Sequence, residues 1–130
     1  MIKSKEQERA KKAWELANAV PISIIGKYAS LAKSAPVMIL TNGLGQTLAF
    51  FISKSNDRNE YNLLYQHINE WLDDSISWTP NDEIGNHLIE KVINENSQIY
   101  RMVTEETLAF LSWIKRFATA LDRDVEEANK

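Results

Sequence analysis

The chain has no cysteine, which excludes disulfide staples, thiolate zinc sites and thiol nucleophiles. It has only two histidines, His67 and His87. Glu83 and His87 have the spacing of one helix face, but a single pair is not a metal site, and no His-Glu-x-x-His run supplies further ligands. Glycine is scarce, at four residues. Gly43-Leu44-Gly45 opens like a dinucleotide fingerprint but has no third glycine at the required place and no convincing strand before it, nor the Gly-Lys-Ser or Gly-Lys-Thr ending of a phosphate loop. No metal or other cofactor is therefore expected. Long apolar runs are missing as well: the longest candidate, 37–52, is interrupted by Thr41-Asn42-Gly43 and Gln46-Thr47, so no membrane span is expected. The N-terminal stretch with Lys3, Lys5, Glu6, Glu8, Arg9, Lys11 and Lys12 lacks the apolar core and cleavage site of a signal peptide. The expected location is cytoplasmic.

What is present fits one folded unit. With 130 residues, 44% hydrophobic and 25% charged, the chain has the length for one core and the composition of a globular protein, and 1–130 reads as a single domain. The dominant pattern is helical. Over 5–20, Ala10, Ala13, Trp14, Ala17 and Val20 recur at three- and four-residue steps. Pro21 predicts a kink or short break, with helix resuming to about residue 33 and Pro36 closing the region. From 37 to 54 a strand-like Val37-Met38-Ile39-Leu40 and a turn-like Asn42-Gly43 compete with a stripe of Leu40, Leu44, Leu48 and Phe51. The stripe favours helix, and the two glycines then predict close approach of another backbone, with an irregular helix that tolerates them as the lesser alternative.

Asn56-Asp57 supplies capping residues for a helix carrying Tyr61, Leu64, Tyr65, Ile68, Trp71 and Leu72. Thr79-Pro80-Asn81-Asp82-Glu83 reads as the entry to a short helix with Ile84, Leu88, Ile89 and Val92 buried. The last element is a long helix: Tyr100, Val103, Thr107, Leu111, Ile114, Ala118, Leu121 and Val125 hold one face over seven turns, widened by Phe110 and Phe117. The reading is an all-α, compact bundle of five to six helices with that helix at its centre. Among the tryptophans, three are expected in the core, and Trp78, in an aperiodic stretch before Pro80, is either a surface contact or, equally, a cap on the bundle.

Several short blocks carry a resemblance. Glu8, Arg9 and Ala13 lead to Tyr28 and Pro36, then Asn42-Gly43-Leu44, Thr47-Leu48-Ala49-Phe50, Tyr61, Trp71-Leu72, Tyr100-Arg101, Thr104-Glu105 and Trp113-Ile114-Lys115-Arg116. In order, spacing and chain length they resemble the small all-helical subunit of type III-B CRISPR effector complexes, the Cmr family of RNA-guided machines. The resemblance implies a non-catalytic structural subunit in antiviral defence whose partners are the other Cmr subunits and the guide and target RNA, with cleavage performed elsewhere in the complex.

Charge is divided along the chain. Through Arg58 nine basic residues face four acids, whereas beyond it six face fourteen, so the halves carry +5 and −8 within a net −3. A net acidic chain is a poor autonomous binder of phosphates, but a local basic face can form if the first helix packs beside Lys115 and Arg116. Lys5, Arg9, Lys12, Lys115 and Arg116 are the RNA-contact candidates. An ordinary solvated face, with Glu8 and Lys12 paired along the helix, accounts for the first three equally well. Opposite-sign ends suit head-to-tail self-association, and equally a role for the acids in solubility. The adjacent carboxylates Asp73-Asp74, Glu105-Glu106 and Glu126-Glu127 diverge on a helix and do not build a two-metal site. The alternative reading is a helical protein-binding or regulatory module that never meets nucleic acid.

Overall fold

Ser4 starts the first helix. Its hydroxyl accepts from the Gln7 amide at 3.2 Å while the Gln7 side chain accepts from the Ser4 amide at 2.9 Å. This reciprocal cap satisfies two of the donors that a helix start leaves unpaired. In the computed structural model, which describes residues 3–56 and 59–130, the helix is α1 (Lys5–Asn18). It stops before Pro21, a 3-10 turn spans Ile22–Ile24, and α2 (Ile25–Asn42) follows. The break expected at Pro21 is therefore present.

The stop expected at Pro36 is not. Pro36 lies inside α2, where a missing N–H and a ring clash cost about 3 kcal/mol. The helix continues because its buried face does: Ala32 and Ala35 are completely buried and Ile39 nearly so. Packing on both sides of the proline outweighs the local rule.

The glycine region is helical, as the stripe indicated, but it is two helices. Gly43 takes φ +89° and ψ 160°, a conformation that side chains disfavour, and it separates α2 from α3 (Leu44–Lys54). The turn resets the register, so Leu44, Leu48 and Phe51 are buried while Leu40 is 74% exposed. What comes close to the glycines is a hydroxyl and not another backbone: a Cβ on Gly45 would sit 3.4 Å from the Tyr100 Oη.

α4 (Glu60–Ser75) is capped by Asn59, whose side chain accepts from the Asn62 amide at 2.9 Å. Asn56 does not serve as its cap, and Asp57 lies outside the described residues. α5 (Leu88–Asn94) begins later than Thr79-Pro80 suggested. Side chains hold the preceding backbone in turns: Glu95 accepts from the Thr79 amide and hydroxyl at 2.8 and 3.1 Å, Asn81 from the Glu83 amide at 3.0 Å, and Glu90 from the Gly85 amide at 3.0 Å. Such local bonds compete with the helix for the same donors. Glu83 thus precedes the helix and His87 is its N-cap position, so the two do not share a helix face.

α6 (Ser97–Ala128) is the 32-residue centre, packed most extensively on α2 and α1 and also touching α4 and α5. Arg9 meets Glu106, and Trp14 meets Phe117 further along, so α1 runs parallel to α6. Gly43 lies by Tyr100 and Gly26 by Asp122, so α2 runs antiparallel to it. Six α-helices and no strand are found among the described residues, which is the all-α bundle that the periodicity predicts. One core cluster includes residues of all six, among them Ala13, Tyr28, Phe51, Leu64, Val92 and Phe110. None of the helices is long and apolar enough to cross a membrane.

Candidate nucleic-acid interface

The five candidate cations fall into two groups. Those on α1 are held against the bundle. Arg9 donates from Nε to Glu106 Oε2 at 2.6 Å and from Nη2 to Glu106 Oε1 at 2.9 Å, and Glu106 also accepts from the Trp71 indole at 3.0 Å. The Lys5 ammonium stands 5.3 Å from the centre of the Trp71 ring. Lys12 Nζ lies 3.9 Å from Glu70 Oε2 on α4, so its ion-pair partner is Glu70 and not Glu8. Burial pushes the Glu106 carboxyl up, but the hydrogen bonds from Arg9 and Trp71 and the charges of Arg9 and Lys5 outweigh it and hold the group below the usual glutamate value. Arg9 is raised in turn, chiefly by its hydrogen bond to Glu106. This half of the basic set closes the seam between α1, α4 and α6.

Lys115 and Arg116 are placed differently. Glu106 and Lys115 are nine residues apart, which at roughly 100° per residue puts them on opposite sides of α6. α1 packs on α6 with its cations on the Glu106 side, whereas Arg116, ten residues beyond Glu106, stands about 80° from that side and Lys115 lies opposite it. Lys115 and Arg116 join Lys33 of α2 and Arg123 of α6 around an open cleft of about 570 Å³, completed by Thr119 and Ala120. Among the described residues none of these four cations has a carboxylate within 4.0 Å. The Thr119 hydroxyl is occupied, donating to the Lys115 carbonyl at 2.6 Å. The cleft thus presents concentrated positive charge, which suits phosphate oxygens.

Lys33 and Arg123 were not among the sequence candidates. Lys115, Thr119 and Arg123 repeat at four-residue steps, so the continuation of the stripe to Arg123 was available in the sequence. Lys33 was not, because it joins the cleft only through the antiparallel packing of α2 on α6. The tryptophans also depart from expectation. Trp71 is buried, as predicted, but Trp14 is 49% exposed, whereas Trp78 packs partly buried against the core, the arrangement of a cap on the bundle. Its indole nitrogen is enclosed without a hydrogen-bond partner among the described residues.

Elsewhere the titratable groups do structural work. Tyr28 and His67, both buried, share a 2.7 Å bond between Oη and Nδ1. Burial foremost, then the charge of Lys12, lowers the His67 pKa to about 4, so the imidazole is neutral. Burial likewise pushes the Tyr28 hydroxyl well above its usual value. Among the described residues no three His, Asp or Glu side chains converge as a metal site.

Known proteins share this architecture. The family described as CRISPR-associated protein (Cas_Cmr5) matches residues 5–121. A solved structure of a CRISPR-associated Cmr5 family protein from Thermus thermophilus superposes with a TM-score of 0.70 at 26% identity, covering 92% of this chain and 98% of that one. The family match runs from the first helix through most of the central one and takes in nearly all of the residues that build the cleft, and on that ground the chain belongs to the CRISPR-associated Cmr5 family.

Proposed function

We propose that the chain is a non-catalytic small subunit of a type III-B CRISPR Cmr effector complex, where it packs beside the guide-bearing backbone subunits in the cytoplasm and helps hold the guide and target RNA. Membership of the family supports the assembly. The observation that carries the RNA contact is the convergence of Lys33, Lys115, Arg116 and Arg123 on one open cleft. Cations free of acidic partners can replace the counterions condensed on a phosphate backbone, and each such exchange adds salt-sensitive affinity. Lys115 and Arg116 are the central contacts. Lys5, Arg9 and Lys12, engaged with Trp71, Glu106 and Glu70, contribute field and not direct contact. Sequence choice belongs to base pairing between guide and target.

One observation favours a protein contact in addition. Val37 and Leu40 are 64% and 74% exposed on the outer side of α2, one and two turns beyond Lys33, and they offer an apolar surface to a neighbouring subunit. With oppositely charged chain halves, a further copy of the chain fits that description in a head-to-tail stack. Size-exclusion co-elution with a reconstituted guide-bound Cmr backbone, with and without complementary target RNA, tests the proposal. Stoichiometric, RNA-sensitive co-elution is expected. Failure to join at any salt concentration discards the proposal in favour of an independent protein-binding module.

A further inference from the structure

Trp14 is an anomaly on α1, a large aromatic side chain among exposed residues that are otherwise polar or charged. Ala13, Leu16, Ala17 and Val20 fill the inner face of this region, and Trp14, turned about 100° from Ala13, remains 49% exposed. It is not a stray side chain. Its ring makes an edge contact with Phe117 at 5.1 Å and 73°, and Phe117 stacks on Trp113 at 5.7 Å and 29°. Trp113 and Phe117 are themselves anchored on the core. The result is an aromatic ledge bridging α1 and α6, rigid at its back and open at Trp14.

The ledge borders the basic cleft. Along α6, Trp113 and Arg116, Phe117 and Ala120, and Ala120 and Arg123 are each three residues apart, the spacing of neighbours on a helix surface, and Arg116, Ala120 and Arg123 line the cleft. An open aromatic ring beside unpaired cations matches an unpaired nucleotide: phosphates lie on the charges while the base stacks on the ring. A base within a duplex is already covered on both faces by its neighbours and offers nothing to stack on. We propose that Trp14, backed by Phe117 and Trp113, is a stacking platform for an unpaired RNA base. This inference rests on the reading of the Lys33, Lys115, Arg116 and Arg123 cleft as a phosphate site.

The test uses the full chain and two single-stranded probes of equal length, an oligoadenylate and an abasic ribose-phosphate chain, followed by fluorescence anisotropy at low salt. The base-bearing probe is expected to bind roughly five- to hundredfold more tightly than the abasic one. W14A should bring the two affinities together, W14F should restore part of the preference, and K115E/R116E should weaken both probes alike. Thermal melts of the variants check folding. Equal binding of the two probes by the wild-type chain, or an unchanged preference in W14A, overturns the platform and leaves the cleft standing. Binding of neither probe overturns the cleft as well. If W14A instead weakens co-elution with the Cmr backbone in the absence of RNA while the base preference persists, the ledge is a protein contact and the proposal fails.

Discussion

Arg9 and Glu106, ninety-seven positions apart in sequence, form a two-pronged ion pair of 2.6 and 2.9 Å across the contact of α1 and α6. The Glu106 side chain is only 12% exposed, and the Trp71 indole donates to the same carboxylate, so one acidic side chain ties together three helices. A charged hydrogen bond of this kind is worth about 1.5–3 kcal/mol.

Glu106→Gln should therefore lower stability by about 2 kcal/mol at neutral pH, measured by urea denaturation. The carboxyl is held below its usual value in the folded state, so its contribution is complete above the unfolded glutamate pKa of about 4.3 and is lost as pH falls through the lowered folded value. The gap between wild type and variant should narrow in that acidic window. A gap that widens there would contradict the assignment.

His67 works in the same direction, over a window that begins at higher pH. Its folded pKa of about 4 lies below the ordinary 6.5, so between these values the unfolded chain binds a proton that the folded chain refuses. Stability should fall as pH drops from about 6.5 to about 4, by on the order of 3 kcal/mol in all. His67→Gln retains a side chain able to bond Tyr28 without titrating, and its profile should be flatter over that interval. Equal slopes for both proteins would locate the acid sensitivity elsewhere.

Gly43 and Gly45 should respond differently to alanine. At Gly43, where φ is +89°, alanine should destabilise by about 1–3 kcal/mol. Gly45 lies in the first turn of α3, where alanine gains up to about 1 kcal/mol of helix propensity and its Cβ meets the Tyr100 Oη at an ordinary 3.4 Å. Thermal melts should show a clear drop for Gly43→Ala and none for Gly45→Ala. Tyr100→Phe should also destabilise, because the Tyr100 hydroxyl accepts the Gly45 amide at 2.9 Å where Gly43 provides no side-chain cap.

The elements that announced themselves in sequence are those whose own apolar spacing sets their position. Tyr61, Leu64, Ile68 and Trp71 marked α4, and the stripe from Val103 to Ala118 marked α6, because burial on one face is written at helical intervals. Pro36 misled because a local penalty was outweighed by the burial of Ala32, Ala35 and Ile39, which depends on partners far along the chain. The late start of α5 had a similar cause: Thr79 is held by Glu95, sixteen residues away. The basic residues were visible from the start, but their roles were not. Whether a cation is free or committed is decided by what packs opposite it, and nothing near Arg9 in sequence points to Glu106. Lys33 joined Lys115 and Arg116 through helix packing alone.

The most direct measurement is RNA affinity as a function of salt for the wild-type chain, K33E/K115E/R116E and K5E/K12E, each first confirmed to be folded. Log affinity should fall linearly with log salt for the wild type, with a slope of about −0.7 per phosphate contact on single-stranded RNA. If the cleft is the contact surface, K33E/K115E/R116E loses most of the affinity and its slope shrinks by about two or more, while K5E/K12E keeps the wild-type slope with a modest loss of affinity. Wild-type slope and affinity in the cleft variant, with their loss confined to K5E/K12E, would contradict the account and return the RNA surface to the first helix.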